Sequence, residues 1–149
     1  MSDHIENLPE TSLNLGVLRT SEVGMEATVS VRSSVNKAKQ DLLNWLKEYA
    51  QSFGGETYDS GHYPAWEYRK DSPLRETMIS VYENLYLKKP RVEAIHAGLE
   101  CGILSEKLEG LDAVSFGPDV IDVHSPKEKL SVSSVERSFN YLCKVLEKL

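Results

Sequence analysis

The sequence predicts two mixed modules in one chain of 149 residues: an α+β two-layer half over residues 1–62, and an α/β layer over residues 72–149. Three observations carry this. Two neighbouring runs alternate apolar and polar residues at period two, the mark of half-buried strands. A long apolar stripe at helical spacing follows them. Beyond residue 72, helical stripes alternate with short apolar runs.

The segment before Thr11 reads as a loose leader. Leu13, Leu15 and Val17 form the first alternating run. Met25, Ala27, Val29 and Val31 form the second, with Glu26, Thr28, Ser30 and Arg32 on its wet side. The polar stretch Arg19 to Gly24 between them predicts an antiparallel hairpin. Val35, Ala38, Leu42, Leu43, Leu46, Tyr49, Ala50 and Phe53 then predict a helix. Ser33 or Ser34 is placed to cap its start, and Gly54–Gly55 to end it in a left-handed turn. A short strand is expected near Glu56–Asp59.

Residues 63–71 form a linker with aromatic anchors: Tyr63, Trp66 and Tyr68 read more readily as packing than as a ligand surface. Ser72–Pro73 is a helix start, with serine as cap and proline in the first turn. Leu74, Met78, Val81, Tyr82 and Leu85 form that helix's buried stripe, and Lys88-Lys89-Pro90 ends it. Short strands are expected at Val92–Ile95, Ala113–Phe116 and Val120–Val123, with a helix over Leu99–Leu108. In a last helix Ser133 and Glu136 have capping-box spacing. Its apolar face is Val135, Phe139, Leu142, Val145, Leu146 and Leu149. Parallel strands need cover on both faces. So small a module reads as part of a larger sheet.

Composition excludes several classes. Hydrophobic residues make up 40% and charged residues 27%, as in ordinary globular proteins. No apolar run reaches the ~20 residues of a membrane span, and the polar start is not a secretory signal. A net charge of −6 with 17 scattered basic residues argues against a nucleic-acid partner. Two cysteines, Cys101 and Cys143, read as free thiols, which suits a cytoplasmic location.

Three places can carry chemistry. His124 follows an apolar run and precedes Ser125-Pro126, where α/β enzymes place functional side chains. It reads as a metal ligand or as a surface turn histidine; Asp122, two residues back, can orient its ring. In Ile95 to Gly102, IHAGLECG, the glycines permit close backbone approach. His96 and Glu100 would share a face if that run were helical; the alternative is a tight strand–helix turn. Arg32 ends the wet strand face, either as a carboxylate clamp or as a solvated edge residue. Trp45 and Cys143 read as packing, Lys47 and Glu48 as a solvated helix face, and His4 and His62 carry no readable signal.

Together these runs resemble the aminoacyl-histidine dipeptidases of metallopeptidase family M20. The runs are TSLNLGV from Thr11, Val31-Arg32-Ser33-Ser34, GHYPAW from Gly61, IHAGLECG, Ser115-Phe116-Gly117-Pro118 and His124-Ser125-Pro126-Lys127-Glu128. They come in the family's order and spacing over nearly the whole chain. Lys127 departs from the family's usual acidic residue. The resemblance implies the C-terminal part of a zinc-exopeptidase-like α/β catalytic domain, preceded by half of a ferredoxin-like α+β lid. It implies two zinc ions, a glutamate base, and a dipeptide substrate, Xaa-His included. It gives His124 the role of a zinc ligand and Arg32 that of binding the substrate's terminal carboxylate. Gly98 becomes a backbone contact to substrate; His96 and Glu100 receive no firm role. The family's His-x-Asp and Glu-Glu motifs occur nowhere in the 149 residues. The expected reading is therefore a fragment, inactive alone, of a zinc dipeptidase that dimerises through its lid. The rivals are a tripeptidase or acylamino-acid hydrolase of the same group, and a non-catalytic dimerisation module.

Overall fold

The computed structural model describes residues 9–94 and 100–149. The fold is mixed α/β: four helices and two small sheets among the described residues. Contacts group them into two compact units, one of residues up to Tyr68 with Glu93–Leu111, the other Arg69–Val92 with Asp112–Leu149.

In the first unit, β1 (Thr11–Ser21) and β2 (Gly24–Ser33) form the expected antiparallel hairpin around a two-residue turn, Glu22–Val23. The register corrects one expectation. Leu13 pairs with Val31 and Leu15 with Val29, but a bulge at Gly16 then shifts the pairing, so that Val17 meets Thr28 and Leu18 meets Ala27. An extra residue resets the period-two alternation. Leu18, not Val17, continues the apolar face, and Val17 joins the polar one.

The chain then enters α1 (Asn36–Ser52), which packs against β2. Neither serine caps it. The Ser33 hydroxyl accepts from Val35 N–H at 3.0 Å and donates to Val35 C=O at 2.9 Å, closing a local turn instead. The first helical N–H, that of Asn36, donates to Glu67 Oε1 at 3.0 Å, and Asn36 Oδ1 accepts from Ala65 N–H at 2.8 Å. A cap supplied from 31 residues away leaves no local trace in sequence. The C-terminus is as expected: Gly54 sits at φ 72°, its N–H and that of Gly55 closing on Gln51 and Ala50 carbonyls. Tyr49 and Phe53 are not on a buried stripe. They form a row with Trp45 on the exposed side: Tyr49 stacks on Trp45 at a centroid spacing of 5.2 Å, and Phe53 meets Tyr49 edge to face at 5.1 Å.

Tyr63–Glu67 fastens to its own unit. The Lys39 ammonium donates to the Tyr63 carbonyl and lies 5.0 Å from the centroid of its ring. Gly102, in α3 (Glu100–Lys107), is buried against this segment; a Cβ there would stand 2.9 Å from the Pro64 carbonyl oxygen. Only glycine permits that approach.

In the second unit, α2 (Pro73–Tyr86) starts as the sequence predicts, with Ser72 Oγ accepting from Arg75 N–H at 3.1 Å and proline in the first turn. Asp112 completes the cap: its carboxylate accepts from Ser72 Oγ at 2.7 Å and from Leu74 N–H at 2.9 Å. Burial pushes this carboxyl up, but those two hydrogen bonds, with the charges of Arg69 and Arg75, outweigh it and hold it below its ordinary value.

Met78 and Val81 of α2 meet Tyr141 and Val145 of α4 (Val132–Leu146), flanked by Leu74, Tyr82, Leu85 and Val114. The Tyr141 hydroxyl donates to the Met78 carbonyl at 2.8 Å. Burial, then the neighbouring Tyr82 and Tyr86 phenols, push its pKa up, so it stays protonated as a donor.

The second module differs from expectation in its strands. β3 (Val120–Ile121) and β4 (Lys129–Leu130) are two residues each and antiparallel. No parallel pair exists among the described residues. Residues 56–59, 92–94 and 113–116 lie outside any strand, and Ile95 lies outside the described residues. Apolar runs become strands only when a neighbouring backbone accepts their hydrogen bonds, and among the described residues no strand pairs with these runs.

The Ser133–Glu136 capping box does not form either; α4 is capped at Ser131 without a side-chain bond. Ser134 does the anchoring. Its buried hydroxyl accepts from Asp119 N–H at 2.8 Å and donates to the Ser131 carbonyl at 2.7 Å.

Candidate functional site

Arg32 stands at the end of β2, opposite Ser12, with Asn14 opposite Ser30 beside them. All four side chains lie on one face of the hairpin because the register is regular on this side of the Gly16 bulge. They line a shallow open groove. The Arg32 side chain is exposed, and no hydrogen bond or ion pair joins it to a described residue. A guanidinium without a partner among the described residues, beside two hydroxyls and an amide, suits a carboxylate: the guanidinium takes it bidentately, and hydroxyl and amide donors take remaining lone pairs. The sequence reading isolated Arg32 alone. Its companions were findable from the cross-strand register, since Ser12 and Asn14 stand in the TSLNLGV run.

His124 lies in the second unit, in the loop Asp122–Glu128 that joins β3 to β4. The loop is tightly turned. Asp122 and His124 have φ of 53° and 64°, left-handed values that non-glycine residues adopt at a cost. The Asp122 carbonyl accepts from the Ser125 N–H at 3.2 Å and hydroxyl at 2.8 Å. The His124 N–H donates to Glu128 Oε2 at 2.8 Å. These bonds hold the exposed histidine at the loop tip.

The role expected for Asp122 fails. No hydrogen bond joins its carboxylate to the His124 ring among the described residues. The same-face argument needs a strand through residue 124, and β3 ends at Ile121. Glu128 is the acidic partner that sequence reasoning missed. It was available as the last residue of the HSPKE run.

Glu100 is the exposed first residue of α3, where its carboxylate favours the helix N-terminus. His96 and Gly98 lie outside the described residues, so the His96–Glu100 pairing is untested by geometry. His62 gains a partner: its Nε2 lies 3.0 Å from Asp59, which also accepts from Lys47 at 3.3 Å. The hydrogen bond and charge of Lys47, partly offset by burial and helped by His62, hold the Asp59 carboxyl below its ordinary value. Cys101 and Cys143 are free thiols, as expected.

Zinc requires three or four ligands. No group of three histidine, cysteine or acidic side chains able to hold a metal occurs among the described residues. His124, exposed at its loop tip, would supply a single nitrogen donor to such a site.

Comparison with known proteins shows what the chain is similar to. No family model matches the chain. The cytosol non-specific dipeptidase of Escherichia coli (strain K12) is 32% identical over 148 residues, which is 99% of this chain and 30% of that protein. The crystal structure of the aminoacylhistidine dipeptidase from Vibrio alginolyticus superposes with a TM-score of 0.89 at 36% identity, covering 100% of this chain and 30% of that one.

This chain is akin to one portion of an aminoacyl-histidine dipeptidase.

It spans only about 30% of the length of these relatives. The aminopeptidase PepT of Bacillus cereus ATCC 10987 superposes at a TM-score of 0.74 over 95% of this chain, at 16% identity, a likeness of fold alone. No helix among the described residues is long and apolar enough to cross a membrane.

Proposed function

We propose that this chain is a portion of a zinc-dependent cytoplasmic dipeptidase that hydrolyses dipeptides, Xaa-His among them, and that it supplies one metal ligand and part of the substrate-binding surface. The observation that carries this is the match to dipeptidases along the whole chain, taken with an Arg32 side chain, unpaired among the described residues, in a groove of hydrogen-bonding groups. In this reading residues 1–62 are half of a lid, 63–71 a linker and 72–149 part of the catalytic domain.

Arg32, with Ser12, Asn14 and Ser30, binds the terminal carboxylate of the dipeptide and fixes its register. His124, held at its loop tip by Glu128 and the Ser125 turn, presents a ring nitrogen to the metal. Zinc, when bound, polarises a peptide carbonyl and makes water acidic enough to attack at neutral pH. Gly98 gives the substrate backbone room beside the metal. The general base and the other ligands come from outside this chain, so the 149 residues alone are inactive.

The test uses the complete enzyme. Arg32→Ala removes charge-assisted hydrogen bonds of about 1.5–3 kcal/mol. It lowers kcat/KM roughly 10- to 150-fold, while zinc content is unchanged. His124→Ala lowers zinc content measured by elemental analysis. Unchanged kinetics in the first variant, or full zinc in the second, removes that residue's role. Dipeptide hydrolysis by the purified chain in added zinc overturns the inactivity.

The two hairpin strands each have a free edge among the described residues, and such edges pair readily across a two-fold axis. We propose a homodimer through this module. A strictly monomeric chain in sedimentation overturns it.

A further inference from the structure

Arg32 is the last residue but one of β2, and a strand end frays unless something ties it down. The residues that follow it are tied one after another. Ser33 is buried, and its hydroxyl gives its one proton to the Val35 carbonyl. At the 2.8 Å contact with Thr11, the Thr11 hydroxyl is therefore the donor. The Ser34 N–H donates to the Glu10 carbonyl at 2.9 Å, and the Val35 N–H to Ser33 Oγ at 3.0 Å. Asn36 is held twice by the segment Ala65–Glu67. Its N–H donates to Glu67 Oε1 at 3.0 Å, and its Oδ1 accepts from the Ala65 N–H at 2.8 Å. That segment is itself anchored: Ala65 is buried, and the Lys39 ammonium donates to the Tyr63 carbonyl. All of these residues belong to the first unit.

The division of labour is informative. A serine next to a helix start ordinarily caps it. Here Ser33 is used on the strand end instead, and the cap comes from Glu67, 31 residues away. The turn between β2 and α1 is thus fixed on both sides, four residues from the guanidinium. We propose that Asn36 and Glu67 are positioning residues for Arg32, their clasp holding the β2–α1 turn so that the guanidinium stands ready for a substrate carboxylate. The proposal rests on the dipeptidase reading. The gain is preorganisation, since ordering is completed on folding rather than on binding. Glu67 is an anion and cannot itself receive a carboxylate, so it acts through Arg32.

The experiment is a double-mutant cycle in the complete enzyme. Glu67→Ala is expected to raise KM for a dipeptide about 3- to 10-fold with kcat within about twofold, as for a contact made equally in ground and transition states. A direct charge effect has the opposite sign, because loss of a nearby anion favours an anionic substrate. Glu67→Gln removes the same charge but keeps an acceptor for the Asn36 N–H, and restores KM to within about twofold of wild type. Asn36→Ala, which frees the Ala65 N–H, reproduces the rise and carries the cycle should Glu67→Ala fail to fold. In an Arg32→Ala background Glu67→Ala adds less than about twofold, because coupled residues are not additive.

If Arg32→Ala raises KM while Glu67→Ala does not, or raises it equally with and without Arg32, the positioning role is overturned and the dipeptidase reading stands. A Glu67→Gln variant as impaired as Glu67→Ala also overturns it. Unchanged KM in Arg32→Ala removes the groove from substrate binding, and the positioning role falls with it.

Discussion

α2 and α4 carry equally regular apolar stripes, yet one stripe is the core and the other is not. In α2, Met78 and Val81 are buried, with Leu74, Tyr82 and Leu85 packed around them, as their spacing predicts. In α4, only Val145 of the predicted face is buried, at 3% exposure. Tyr141, which the stripe omitted, packs on α2 instead, and Ser134, also omitted, is buried against Asp119. Periodicity reports which flank of a helix is apolar. It does not report which neighbour meets that flank. α2 has one apolar flank, so periodicity and packing agree. α4 has two, and the buried one includes a tyrosine and one serine, whose polar atoms are satisfied by Met78 and Asp119.

That contrast can be broken or sharpened by substitution. The largest effect is expected in the shared core: Met78→Ala destabilises the second unit by about 2–5 kcal/mol, read from the urea midpoint at constant slope. A loss under about 1 kcal/mol would mean that α2 and α4 do not pack as a core. Ser134→Ala comes next, at about 1–3 kcal/mol, because Asp119 N–H loses its part-buried acceptor; a neutral result would show water replacing the hydroxyl.

Asp112 gives a pH signature. Its folded pKa lies below the unfolded 3.8. Its contribution is therefore present above that value and is lost as pH falls through the folded pKa. Asp112→Asn should flatten the loss of stability between neutral pH and strong acid; an unchanged acid limb would leave Asp112 out of the α2 cap. The smallest effect marks the other stripe. Phe139→Ser in the isolated chain should change stability by no more than about 0.5 kcal/mol, and a core-sized loss would erase the distinction between the two helices.

The candidate site divides the same way. Arg32 was legible because it ends a run of alternating residues. Its groove was less so, because Gly16 shifts the register and only pairing shows that Ser12 and Asn14 share its face. His124 was legible as a loop residue. Its support was misread, because a strand that stops at Ile121 sends Asp122 into a left-handed turn and leaves Glu128 to hold the histidine. Gly102 had a reason that only packing reveals, the approach to Pro64 within its own unit.

By itself, the sequence determined the elements that local physics controls. The hairpin follows from alternation, the α2 start from Ser72–Pro73, and the α1 end from Gly54–Gly55. The resemblance to dipeptidases also rests on local runs. Tertiary structure decided what depends on distant partners: the Glu67 cap on α1, the Asp112 cap on α2, the flank of α4 that is buried, and the fate of the apolar runs near residues 92 and 113. A turn closes hydrogen bonds within a few residues. A strand or a helix face is settled only by the neighbour that pairs with it or covers it.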